Sequence, residues 1–114
     1  MIPRTEIIAM EVEQSIEELK NKFIQTRLSK ILIYSGNIDN IIGYVYSKEL
    51  FKNPQSIKSI LLPVSIVPES IAANELLTIF IQQRKSIVVV VDEFGGTSGM
   101  LTMEDVMEEI FGEI

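Results

Sequence analysis

The sequence predicts a mixed α/β (α+β) fold in which two copies of one β-α-β-β-α unit pack with pseudo-twofold symmetry. The first observation is an internal repeat: a shift of 57 residues brings residues 18–29 onto residues 75–86, with seven identities in twelve positions. The second is that both halves show the same order of apolar patterns, a helical spacing followed by strand-like runs. The third is size, because a half of about 57 residues buries little surface alone, whereas 114 residues suffice for a shared core.

The first copy is predicted from local patterns in chain order. We expect an extended piece at residues 7–10 and a helix from Ser15 onward. A strand pair at residues 31–34 and 41–45 and a short second helix at residues 47–51 are expected to follow. Ser15 and Glu18 form an S-x-x-E capping box that opens the first helix. Its buried face is predicted to hold Ile16, Leu19, Phe23 and Ile24. Residues 53–62 form a connector with a helical turn.

The second copy repeats this order, and beyond the strand that follows the first helix the shift becomes 56 residues, which brings Gly43 onto Gly99. An extended piece at residues 64–67 leads to a helix whose predicted inward positions are Ala73, Leu76, Leu77, Phe80 and Ile81. Residues 87–91 are a β-branched run typical of a buried strand. Gly95, Gly96 and Gly99 are predicted to form a tight turn before a strand at residues 100–101. A last helix is expected from Thr102 to about residue 111.

Composition excludes several classes of function. The chain has no Cys and no His, so disulfides, Cys-ligated zinc and the usual Ser-His or Cys-His catalytic pairs cannot be built, and we expect no enzyme. The net charge is −6, and from Asp92 onward there are seven acidic and no basic side chains. Such a surface repels a phosphate backbone, so we expect no nucleic-acid partner. No apolar run approaches the roughly 18 residues of a membrane helix.

Residues 95–105 hold the candidate chemistry. The glycines do not form a phosphate loop, because no G-K-[ST] follows them and they precede a strand. Thr102 and Asp105 support two interpretations. Structurally, they are an N-cap and its reciprocal partner at the start of a helix. Functionally, the helix start and the Thr hydroxyl suit an anion, and the carboxylate suits the two hydroxyls of a ribose.

The repeat that ends in Gly-x-x-Thr-x-x-Asp at residues 99–105 resembles the CBS (cystathionine-β-synthase) domain, which occurs in tandem pairs. Residues 90–114 are similar to the CorC-type magnesium/cobalt efflux family, often called hemolysin-like, and residues 3–7 match that family's entry into its first CBS unit. The resemblance covers essentially the whole chain. It implies two CBS units, residues 1–55 and 56–114, within a longer protein whose transmembrane and C-terminal domains are absent here.

The resemblance also implies a function. Such a pair is expected to be a soluble module on the cytoplasmic side of the inner membrane that binds an adenine nucleotide, ATP or AMP with Mg²⁺, and regulates its own transmembrane domain. A homodimer through the CBS pair is expected as well. The alternative is a structural dimerisation module of the same transporter that binds no ligand.

Site residues follow residue by residue from the resemblance. Thr102 is expected to face phosphate and Asp105 the ribose, with Ser29 and Lys30 toward phosphate and Ile2 and Pro3 beside the adenine. Lys30 replaces the family's Arg, which gives up bidentate phosphate contact, and Leu32 replaces a proline. A weaker second site would use the counterparts of Thr102, Asp105 and Ser29, namely Tyr46, Glu49 and Ser86.

Overall fold

The computed structural model describes the backbone of residues 1–111 and the side chains of residues 1–108; residues 112–114, which end the family-like block, lie outside it. The strands are β1 (Ile2–Pro3), β2 (Ala9–Glu11), β3 (Lys30–Tyr34), β4 (Ile41–Tyr46), β5 (Ser65–Pro68), β6 (Ile87–Val91) and β7 (Thr97–Thr102). The α-helices are α1 (Ile16–Thr26), α2 (Ala73–Gln82) and α3 (Met103–Phe111), and 3₁₀ helices span Arg4–Glu6, Ser47–Lys52 and Lys58–Ile60. None of the described helices is long and apolar enough to cross a membrane.

These elements form two compact units. The continuous unit is Ile8–Pro63, and the discontinuous unit joins Met1–Ile7 to the chain from Val64 onward. These bounds do not coincide with the expected repeat boundary between residues 55 and 56. The segment that leads into each repeat packs instead with the other repeat: residues 1–7 with the second, and residues 56–63 with the first.

The discontinuous unit has a four-stranded sheet in the order β1-β7-β6-β5. The two outer pairs differ, since β1 and β7 are antiparallel whereas β6 and β5 are parallel, with α2 as their crossover. Strand β6 matches its predicted bounds of residues 87–91, and its first four residues are buried. The core under α2 and α3 consists of Val67, Leu76, Phe80, Val88, Val90 and Val106.

The continuous unit has a three-stranded sheet in the order β2-β3-β4, with β2 parallel and β4 antiparallel to β3. Its core is formed by Met10, Val12, Leu19, Phe23, Ile31, Ile33, Val45, Ile57 and Ile60. The N-cap of the predicted capping box forms, because Glu18 N–H donates to Ser15 Oγ at 3.1 Å, whereas the Glu18 carboxylate accepts the Ser15 hydroxyl at 3.3 Å. Both predicted short helical turns of this unit form, as 3₁₀ helices.

Gly99 lies inside β7, and not in the turn where the sequence pattern put it. It pairs with Pro3 of β1, and a Cβ at this position would lie 2.5 Å from the carbonyl oxygen of Ile2. Its repeat partner Gly43 lies in β4, where a Cβ would collide with the carbonyl oxygen of Leu62. Both glycines are therefore required by the close approach of a leading segment, which no side chain would allow.

The buried faces of α1 and α2 are narrower than predicted. The expected core positions Leu19, Phe23, Leu76 and Phe80 are buried. The prediction was wrong for Ala73, which is exposed, and for Ile24 and Ile81, which occupy one repeat position and are 74% and 54% exposed. Successive residues are about 100° apart around a helix, so a helix covered on one side buries Phe23 and turns its neighbour outward.

Candidate functional site

Thr102 and Asp105 form a reciprocal cap at the start of α3. The helix begins at Met103, one residue later than predicted, and Thr102 ends β7. Asp105 N–H donates to Thr102 Oγ1 at 3.2 Å, and Thr102 N–H donates to Asp105 Oδ2 at 3.3 Å. Met103 N–H donates to the carbonyl oxygen of Ser86 at 3.2 Å. The structural interpretation of the motif is thereby confirmed, and these bonds use donors that a bound anion would otherwise take.

The cap leaves half of the Asp105 carboxylate unused. Oδ2 accepts the Thr102 N–H, whereas Oδ1 has no hydrogen-bond partner among the residues that the structure describes. The side chain is half-buried, and the cap fixes its orientation. Asp105 therefore presents one free carboxylate oxygen from a held position, an arrangement suited to accept hydrogen bonds from a ligand.

A cavity of about 720 Å³ opens beside this carboxylate, within the discontinuous unit. Its walls include residues of β5, β6 and β7 and of the helices α2 and α3. Its lining includes the apolar side chains Ile71, Leu76, Leu101 and Val106, and the acids Glu69, Asp105 and Glu108. The volume falls within the range of small-molecule sites, about 300–1,000 Å³, and an apolar wall with a few polar groups is their usual composition.

Strand β1 brings two further predicted residues to this unit. Ile2 pairs with Met100 and Pro3 with Gly99, on the strand that ends at Thr102. Met1 lines the cavity itself. The discontinuous unit thus holds five of the predicted site residues on adjoining elements: Ile2, Pro3, Ser86, Thr102 and Asp105.

Ser29 and Lys30 belong to the continuous unit. The carbonyl oxygen of Ser29 accepts the N–H of Ser47 at 2.8 Å, which repeats the bond between Ser86 and Met103. Lys30 lies opposite Tyr46 in the β3–β4 pair, and its Nζ is 5.1 Å from the centre of the Tyr46 ring. That these two residues share a site with Asp105 stays a prediction from the resemblance.

The counterparts of Thr102 and Asp105 in the continuous unit are arranged differently. Tyr46 makes no side-chain cap to the 3₁₀ helix that follows it. Glu49 instead forms an ion pair with Lys52 at 2.9 Å. Two ammonium groups, those of Lys30 and Lys48, lie within 5.8 Å of the Tyr46 ring centre. This end of β4 therefore lacks the held carboxylate that distinguishes the start of α3.

Sequence reasoning missed most of the cavity wall. Leu76 was assigned to the core, but Ile71 and Glu69 were assigned no role. Both follow β5, and ligands often bind at the carboxyl ends of parallel strands, so the β5–β6 pairing was the available signal. Ser86 accepts the Met103 N–H through its backbone carbonyl, and such a backbone bond cannot be predicted from the residue type. Between residues 1 and 108, the structure shows no cluster of three or more acidic side chains that could hold a metal ion.

The family model described as the CBS domain matches residues 57–112. The structure of the CBS domain of the bacterial CNNM/CorC family Mg²⁺ transporter in complex with ATP aligns with a TM-score of 0.93 and 38% identity, over 100% of this chain and 85% of that one. The chain belongs to the CNNM/CorC family. It is a tandem CBS pair, and the expected α+β fold of two CBS units is confirmed.

Curated relatives place the CBS pair in longer proteins. The chain is 40% identical over 119 residues to the UPF0053 protein YugS of Bacillus subtilis, and 39% identical over 117 residues to hemolysin C of Brachyspira hyodysenteriae. The whole CBS pair aligns in both cases, but it spans only 28% and 44% of these relatives.

Proposed function

We propose that this CBS pair binds an adenine nucleotide, ATP in the first place, and acts as a regulatory module of a membrane Mg²⁺ transporter. The observation on which this rests is Asp105 Oδ1, which has no hydrogen-bond partner among the described residues and is held by the Thr102 cap at the wall of a 720 Å³ cavity. The structural relative in complex with ATP supports the choice of nucleotide. The transport activity itself would belong to the longer protein.

In this proposal Asp105 accepts hydrogen bonds from the ribose hydroxyls through Oδ1. The cap holds the carboxylate in place before the ligand arrives, so little side-chain entropy is lost on binding. The apolar side chains Ile71, Leu101 and Val106 would pack against the faces of an adenine ring, because those faces are apolar and bind through the area they bury. Ser29 and Lys30 would supply polar contacts to the phosphates.

The negative charge around the cavity is expected to make ATP binding depend on magnesium. The discontinuous unit contains ten acidic and three basic side chains, a net charge of −7. Glu69 and Glu108 line the cavity beside Asp105 and would repel a triphosphate. Mg²⁺ bound mainly by the phosphates offsets that repulsion, so ATP is expected to bind as its magnesium complex.

Regulation would follow from a shift in population. A nucleotide that binds one arrangement of the CBS pair more tightly raises its population, and the attached transmembrane domain responds to that arrangement. We further propose that the pair acts as a homodimer on the cytoplasmic side of the membrane. The coupling can be no larger than the difference in nucleotide affinity between the two arrangements.

Isothermal titration calorimetry with ATP and AMP, each with and without Mg²⁺, tests the proposal. Asp105→Asn keeps an oxygen for the Thr102 N–H and removes the charge, so the fold is retained and ATP affinity is expected to fall by about tenfold or more. Glu104→Gln, one residue away and exposed, is the matched control and is expected to bind normally. Absence of binding at millimolar nucleotide, or equal binding by the two variants, would contradict the proposal.

A structural dimerisation module without ligand is the second candidate. It is favoured by one observation: Thr102 and Asp105 already satisfy each other as a helix cap. Sedimentation of the CBS pair with and without ATP separates the candidates. If the pair dimerises but calorimetry detects no nucleotide binding, the structural module is supported.

A further inference from the structure

The turn between β6 and β7 projects an aromatic ring into solvent. Phe94 is 88% exposed. The backbone around it is held tightly, since Asp92 Oδ1 accepts the N–H groups of Phe94 and Gly96, both at 2.9 Å. Asp92 N–H donates to the Gly96 carbonyl oxygen at 2.9 Å, and Gly95 has a φ of 83° that favours glycine. Phe94 is therefore displayed from a turn whose backbone is held by hydrogen bonds.

A groove of about 570 Å³ lies beside this ring, within the discontinuous unit. Its apolar part is formed where β5 and β6 end as a pair, with Pro68 opposite Val91. Glu69 and Glu93 line it together with Phe94. Glu69 N–H donates to the Val91 carbonyl oxygen at 3.0 Å, which fixes one wall of the groove to the sheet. The groove is thus preformed, with an aromatic edge.

The charges around the groove are all negative. Glu69 and Glu93 are exposed, and neither has an ion-pair partner in the part of the chain that the structure describes. The surrounding unit carries a net charge of −7. An exposed aromatic ring beside unpaired carboxylates is complementary to a cationic group, because the ring face attracts cations as the carboxylates do.

We infer that the surface formed by Glu69, Glu93 and Phe94 docks a basic peptide segment of a protein partner. One Arg or Lys of that segment lies over the Phe94 ring and pairs with Glu93. An apolar neighbour in the segment fills the groove over Pro68 and Val91. The groove adjoins the 720 Å³ cavity, because Pro68 and Glu69 line both, whereas Glu93 and Phe94 line the groove and not the cavity.

A second exposed phenylalanine offers a matched control. Phe51 is 85% exposed, but it lies in the continuous unit between Lys48 and Lys52 in sequence. Its neighbour Glu49 is already paired with Lys52, so Phe51 lacks the unpaired carboxylates that lie beside Phe94. A partner that binds only an exposed ring would bind at both phenylalanines. A partner that also needs the neighbouring carboxylates would bind at Phe94 alone.

The test titrates the intact chain with a labelled short peptide of alternating Arg and Leu, followed by fluorescence anisotropy. Phe94→Ala and Glu93→Gln are each expected to weaken binding about tenfold. Phe51→Ala and Glu75→Gln, the latter on the exposed start of α2, are expected to bind as the wild type does. Binding is expected to weaken with salt, and a peptide with Glu in place of Arg is expected not to bind.

Several outcomes would overturn the inference. Failure of the wild type to bind at millimolar peptide does so, as does undiminished binding by Phe94→Ala with its circular dichroism intact. Equal losses in Glu75→Gln and Glu93→Gln would show nonspecific attraction to an acidic protein. Concentration-dependent self-association of the wild type that Phe94→Ala abolishes would assign the groove to a second copy of the chain.

Discussion

Gly99 lies directly beneath the carbonyl oxygen of Ile2, so close that a Cβ on residue 99 would be 2.5 Å from that oxygen. This contact lets β1 pair with β7, whose last residue is Thr102, the cap of α3. The leading segment of the chain and the candidate ligand site are thereby joined through one short strand.

Gly99→Ala is expected to destabilise the chain by about 1–3 kcal/mol, because the added methyl group forces β1 away from β7. Urea denaturation measures this, and hydrogen exchange is expected to show faster exchange in β1. Ser98→Ala, at the neighbouring position of the same strand, is the control and is expected to change stability little. Wild-type stability in Gly99→Ala would show that β1 does not need this approach.

Thr102→Ala is expected to cost about 1 kcal/mol, the usual effect of removing an N-cap side chain. Thr102→Ser keeps the hydroxyl that accepts the Asp105 N–H and is expected to keep the stability. Ser15→Ala, which removes the cap of α1, gives a reference loss of similar size in chemical denaturation. A cap role for Thr102 is refuted if the Ala and Ser variants are equally stable.

Glu11 gives the chain a pH-dependent contribution to stability. The N–H of Gly36 and then that of Glu13, each 2.7 Å from the carboxylate, hold the pKa of Glu11 below its ordinary value. Because the pKa of Glu11 is lower in the folded state than in the unfolded state, its carboxylate stabilises the fold fully when the pH is above the ordinary value of about 4.5. That stabilisation is lost as the pH falls through the folded pKa.

Glu11→Gln is therefore expected to have a lower Tm than the wild type at pH 7, with the difference closing in acid. Thermal unfolding monitored by circular dichroism across this pH range measures it. Glu13→Gln, whose own carboxylate is not part of this arrangement, is the control. A Tm difference that is independent of pH would show that the carboxylate charge contributes nothing.

Ile24→Gln and Ile81→Gln are expected to change the free energy of unfolding by no more than about 0.5 kcal/mol, as is usual for exposed positions. Leu19→Ala, in the buried face of the same α1 helix, is expected to cost about 2–5 kcal/mol. A large loss in the isoleucine variants would mean that these side chains are covered in solution. A lower oligomeric state in them would support the proposed homodimer.

Local patterns predicted much of the fold. Strand β6 was predicted to the residue, because a β-branched run between polar segments needs no knowledge of its partners. The caps at Ser15 and at Thr102 with Asp105 were equally local, since each joins residues three apart. The repeat predicted that two similar units would form, and it aligned Gly43 with Gly99.

Features that depend on distant residues could not be predicted in this way. Nothing near Gly99 indicates that Ile2 will cross it, so the glycine was assigned to a turn. The exposure of Ile24 depends on which side of α1 meets the sheet. The cavity wall likewise combines Ile71, Leu101 and Asp105, which only the folded sheet brings together.

The packing of residues 1–7 with the second repeat, and of residues 56–63 with the first, has a consequence for the order of folding. Residues 8–63 are in effect an insertion between β1 and the rest of its sheet, so the pairing of Pro3 with Gly99 closes a loop of most of the chain. Pairings this distant in sequence form slowly, because the chain loses loop entropy before it gains contacts. We therefore expect β1 to join its sheet last. A circular permutant that begins at Val64 and places residues 1–7 after α3 would make the same pairing local, and would turn the late step into an early one.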